Sequence, residues 1–130
     1  MKHLAILVVI GLLLGAVFPS QSEAANSTAK KIVAEMIERQ TSLLQQYPSL
    51  SLIDNVVRAD CSARSDQKAP SSEFCGCASA VTMNLWMSGM DPKMIDRLNA
   101  FLQQPSEDAA QEFAAYQGPE LYAPLCEAAA

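Results

Sequence analysis

Histidine is nearly missing from this chain. Of its 130 residues, only His3 carries an imidazole, and it lies in a leader-like opening stretch. Beyond it, no Ser-His-Asp or Cys-His nucleophile can be assembled, and no zinc or haem site that needs a histidine. Basic clusters are missing too. Nine Lys and Arg stand against fourteen Asp and Glu, for a net charge of -5. Nucleic acid and anionic membrane surfaces are therefore poor partners. The carboxylates show no pairing in sequence that suggests acid-base work. There is no internal repeat and no low-complexity segment. One long apolar run is present, Leu4 to Phe18, and it is shorter than the roughly 20 residues that a spanning helix needs.

That run has the layout of an export signal. Lys2 and His3 give a basic start, Gly11 and Gly15 relieve the apolar stretch, and Ser22-Glu23-Ala24 forms a small-residue exit. We read residues 1–24 as a secretory signal peptide cleaved after Ala24. No cysteine stands near the cut, so no lipid anchor is expected. The remainder, 25–130, is one domain's worth of chain, expected in the periplasm or secreted, with no stable membrane anchor after cleavage. Loss of Lys2 and Glu23 leaves the net charge unchanged.

Proline and glycine divide this remainder into helical patterns. Ile32, Val33, Met36, Ile37, Leu43, Leu44 and Tyr47 recur with helical spacing from about Ser27 to Gln46, and Pro48 stops them. Leu52, Ile53, Val56 and Val57 make the stripe of a second helix from Leu50 to about Cys61. The alternation in "SLSLI" at its start leaves a short strand as a competitor. Ser62 to Ala69 is polar and aperiodic, an exposed loop. A central helix follows over about 70–88, apolar nearly all round, as a helix buried in the middle of its domain should be. Gly76 and Ala80 would let a neighbouring helix approach it. Gly89 ends it.

Asp91-Pro92 then supplies an N-cap followed by proline at the first helical position. Met94, Ile95, Leu98, Phe101 and Leu102 form the buried set of that helix, which Pro105 ends. Glu107 and Asp108 open a fifth pattern that runs to Gln117, and Gly118-Pro119 stops it. A last short helix carries Leu121, Tyr122, Leu125 and Cys126. The fold class expected is all-α: five or six short helices around a buried central one, stapled by two disulfides.

The staples follow from "SSEFCGCASAVTMNLW", residues 71–86, which sets Cys75 and Cys77 two apart on a helix. Such residues point about 200° from each other, so they cannot bond to one another without unwinding it. In an oxidising compartment paired cysteines become disulfides, and the partners left are Cys61 and Cys126. Of the two pairings that remain, Cys61–Cys75 with Cys77–Cys126 is favoured, because the late helices can cover the face that Phe74 shares with Cys77. Cys61–Cys77 with Cys75–Cys126 is the alternative.

Function is less legible. A redox pair at "CGC" has helix N-terminal placement in its favour, but no nearby base and no βαβ pattern. Cu(I) binding by Cys75, Cys77, Met83 and Met87 fits the metal's preference for soft ligands. It requires thiols that stay reduced outside the cytosol, and methionine more often fills gaps in a small core. The reading we favour is a non-enzymatic module, without cofactor, that binds another protein. Its candidate surface is the loop Arg64, Ser65, Asp66, Gln67 and Lys68, clamped between Cys61 and Cys75, together with the Gly89–Asp91 turn. Phe74 and Trp86 read as core, and Asn84 as a solvated or backbone-bonded residue.

In organisation the chain resembles the small periplasmic immunity proteins that neutralise type VI secreted amidases. The features that carry this are Cys61, the Phe74-Cys75 pair and a late cysteine. The resemblance implies an exported, mostly helical, disulfide-bearing inhibitor.

Overall fold

A computed structural model describes residues 25–64 and 71–130. The predicted signal peptide and the loop residues Ser65, Asp66, Gln67 and Lys68 lie outside these. The described residues form a helical bundle, with no strand among them. Helix α1 covers 25–46. It is followed by α2 (Leu50–Ala63), α3 (Ser72–Met87), α4 (Pro92–Gln103), α5 (Glu107–Gln111), a 3-10 turn (Glu112–Tyr116) and α6 (Pro119–Ala129). The "SLSLI" stretch is helical. Its Leu50 and Ile53 point into the core three residues apart, which a strand could not arrange.

The helix boundaries follow from their capping chemistry. Ser71 accepts a hydrogen bond from the backbone N–H of Phe74 at 3.1 Å and opens α3. Gly89, at φ +84°, takes the left-handed conformation that turns the chain toward α4. Asp91 accepts from the N–H of Lys93 at 3.0 Å, with Pro92 as the first helical residue. Ser106 accepts from the N–H of Ala109 at 3.0 Å. The fifth predicted helix is broken in two: one turn of α-helix, then the 3-10 turn that carries Phe113 inward.

Helix α3 is the spine. It is buried on all sides over Cys77–Met83, and each of its ends organises a separate apolar cluster. Toward its C-terminal end, Met83 and Trp86 pack with Leu50, Ile53 and Val57 of α2, Leu98 and Phe101 of α4, and Phe113. The Phe113 ring is 5.5 Å from Trp86 and 5.8 Å from Phe101, in tilted and edge-on geometry. Toward its N-terminal end, Cys75, Cys77, Ala78 and Val81 pack with Val33 of α1, Cys61, and Tyr122 and Cys126 of α6.

One expectation for α1 is corrected. Ile32, Ile37 and Tyr47, which recur with helical spacing in the sequence, are exposed rather than packed inward. The line that packs inward is Ala29, Val33, Gln40 and the half-buried Met36, Leu43 and Leu44. Ile32 and Ile37 lie about 70° to either side of it at helical spacing. The neighbours α2, α3 and α6 all meet this one line, so the buried stripe is narrow and the flanking isoleucines stay at its edges.

Candidate functional site

The disulfides are Cys61–Cys75 and Cys77–Cys126, with Cα separations of 5.6 and 5.9 Å. This is the favoured pairing. The sulfurs of Cys75 and Cys77 leave opposite sides of α3, one toward α2 and the other toward α6. No free cysteine remains among the described residues, so the pair at "CGC" holds no thiol in this structure. The copper set Cys75, Cys77, Met83 and Met87 accordingly contains no thiolate. Its methionines also diverge: Met83 is buried in the spine and Met87 is exposed. No group of three or more Asp, Glu, Cys or His placed to hold a metal occurs among the described residues.

A polar joint lies where α1, α2 and α3 meet. Asp54 of α2 is buried, and its Oδ1 accepts from the Ser79 hydroxyl, from Gln40 Nε2 at 3.2 Å and from Arg58 Nε at 2.9 Å. Gln40 Nε2 also donates to Ser79 Oγ at 2.8 Å and lies 3.1 Å from Met83 Sδ. A buried carboxylate without such donors would be strongly destabilising. Here three helices supply them to one oxygen. Sequence reading passed over this joint, yet each member is a polar residue on an apolar stripe. Gln40 continues the line of Val33, Asp54 adjoins Ile53, and Ser79 lies between Cys75 and Trp86 on one face of α3.

Arg58 links the joint to the surface. Its side chain is 44% exposed while its Nε is held by Asp54. Its guanidinium lies over Gly76, where an added Cβ would come within 3.0 Å of one terminal nitrogen. The small residue predicted to admit a helix admits an arginine head group instead. Beside it opens a groove of about 980 Å³ between α1, the start of α3 and the end of α6. Val33, Ile37, Phe74 and the Cys77–Cys126 cystine give it apolar walls; Arg58, Glu73 and Glu127 are its charged members.

The loop proposed for recognition is described only at Arg64. That side chain is paired to Asp60 at 3.0 Å and reaches the Gln117 carbonyl at 3.5 Å. Gln117 Nε2 in turn donates to the same Asp60 oxygen at 2.8 Å. Arg64 thus ties the end of α2 to the segment before α6. Asn84 is backbone-bonded, donating to the carbonyls of Ala80 at 2.7 Å and Met36 at 2.9 Å, which pins α1 to the spine. In the Gly89–Asp91 turn Met90 is 81% exposed, a single apolar side chain on the surface.

Ser79, the hydroxyl in contact with a carboxylate, has no exposed surface and lies beneath the helices. The groove is lined by aliphatic and aromatic side chains, the hydroxyl-bearing Ser71 and Ser72, the Gln40 amide and single charges, a mixture that suits a docked side chain. Among the described residues no helix is long and apolar enough to cross a membrane, and two disulfides fit an oxidising, non-cytoplasmic setting. No protein-family model, no curated protein and no solved structure matches this chain significantly.

Proposed function

We propose that this protein is a non-enzymatic binding module of the periplasm or the extracellular space, and that it engages another protein through the groove between α1, α3 and α6. The observation that carries this reading is the groove itself. Its α1 wall presents Ile37 at 42% exposure, beside a floor held in place by a disulfide and by the Asp54–Arg58 pair. A surface whose members are already fixed loses little conformational freedom when a partner docks. The export-like opening sequence and the disulfides support the location. Neutralising a secreted amidase, the role implied by the resemblance in organisation, is one form such binding would take.

The test is affinity capture from the extracytoplasmic fraction of the producing cells, using protein with its disulfides formed. Wild type is expected to retain a stoichiometric partner that Ile37→Asp loses. Met87→Ser, at the C-terminal end of α3 and outside the groove, is expected to retain it. Equal retention by the Ile37→Asp protein would move recognition off the groove. Repeated absence of any stoichiometric partner would defeat the binding reading.

A further inference from the structure

The charges of the groove are unevenly satisfied, and this points to the chemistry of its occupant. Arg58 is the groove's positive member, and its charge is already balanced by Asp54 at 2.9 Å. Glu73 and Glu127 are exposed and make no ion pair among the described residues. Taken together, the lining offers two open carboxylates and one neutralised guanidinium, on a chain of net charge -5. Val33, Ile37 and Phe74 line the same groove. Complementary charge governs encounter rate and register, while apolar contact supplies most of the adhesion.

We infer that the groove accepts a basic segment of a partner protein that carries at least one large aliphatic or aromatic side chain. Its lysines or arginines meet Glu73 and Glu127, and the apolar side chain settles on Ile37, Val33 and Phe74. An acidic segment would face both carboxylates, against a single arginine whose charge Asp54 already offsets. A second copy of this chain would bring the same carboxylates and the same net charge, so self-association through this face is opposed by like-charge repulsion. This inference rests on the binding reading above and specifies the partner for that site.

Three 12-residue probes test it by fluorescence anisotropy at low ionic strength: a Lys/Leu peptide, a Glu/Leu peptide and a Lys/Ser peptide. The Lys/Leu probe is expected to bind, and the other two are expected to bind at least tenfold more weakly. The Glu73→Gln/Glu127→Gln variant should weaken the Lys/Leu probe about fivefold to tenfold, the size expected for two exposed charge pairs. Ile37→Ser should weaken it as well, and added salt should erode binding in wild type more than in the double variant. Amide chemical shifts locate the probe on 25–46, Ser72–Met87 and Pro119–Ala129. A Lys/Leu affinity unchanged by the double variant, or a Glu/Leu probe that binds as tightly, overturns the inference. If the Glu/Leu probe binds and Ile37→Ser abolishes it, the groove stands as a protein site and only the partner's charge was misassigned. If no probe shifts any groove amide, the groove itself is refuted as a docking surface.

Discussion

Asp54 concentrates more of the packing logic in one atom than any other described side chain. Its Oδ1 receives donors from three residues on three helices, so substituting it strands several partners at once. Asp54→Ala leaves the buried Ser79 hydroxyl without its acceptor, removes one of Gln40's and unpairs Arg58, and is expected to cost about 3 kcal/mol or more. Ser79→Ala removes one donor of three and should cost about 1 kcal/mol. Urea unfolding of both variants checks this, and equal losses would show that the carboxylate contributes no more than the hydroxyl. The joint was also the least legible part of the sequence. A lone Gln, Asp or Ser on an apolar stripe signals a buried polar group. Apart from Arg58, one helical turn from Asp54, the partners lie 14 to 39 residues apart, and helical periodicity carries no information about contacts at that range. The exposure of Ile37, on which the groove depends, was hidden for a related reason: spacing identifies the apolar side of a helix but not how wide a stripe its neighbour covers.

Among the elements, helix boundaries were the most legible, because they depend on local chemistry. Asp91-Pro92, Ser106 with its acidic first turn, and Gly89 each act within three residues. The cysteine pairing was legible because two residues on one helix must diverge, and the partner helices then decide the register. Helix α6 depends most on a staple. It is short, contains Pro124, and is held to the spine by Cys77–Cys126 and by the Phe74–Tyr122 ring contact at 6.0 Å. That disulfide lines the open groove, where Cys77 keeps 7% exposure, whereas Cys75 and Cys61 keep 2% and 0% and line no groove wall. Thiol–disulfide exchange needs in-line access to a sulfur. Mild dithiothreitol followed by alkylation should therefore label Cys77 and Cys126 before Cys61 and Cys75, read by peptide mass mapping. Simultaneous labelling of all four would mean that the groove gives no preferential access. Cys77→Ser/Cys126→Ser opens a loop closed across 49 residues and is expected to lose about 4 kcal/mol in the chain-entropy picture.

At the scale of the whole molecule, the placement of the staples divides the bundle into two unlike halves. Both disulfides lie in the cluster built on Val33, Val81 and Tyr122. The cluster around Trp86, Leu98, Phe101 and Phe113 contains no cysteine and holds together by apolar burial and aromatic contacts alone. The two share α1, α2 and α3, so their independence depends on how far the loss of one propagates along these helices. Cooperative units of this kind open at different free energies when their contacts are mostly internal. Full reduction is expected to release α6 and the N-terminal turns of α3. Trp86 should keep a blue-shifted, buried emission in the absence of denaturant. Hydrogen exchange should then show lost protection over Pro119–Ala129 and retained protection over Pro92–Gln103. A red shift of Trp86 emission that parallels the loss of α6 protection would show the halves to be one cooperative unit. The stapled half is also the half that carries the groove, so the covalent ties hold rigid the face that meets a partner, while the other half serves as its foundation.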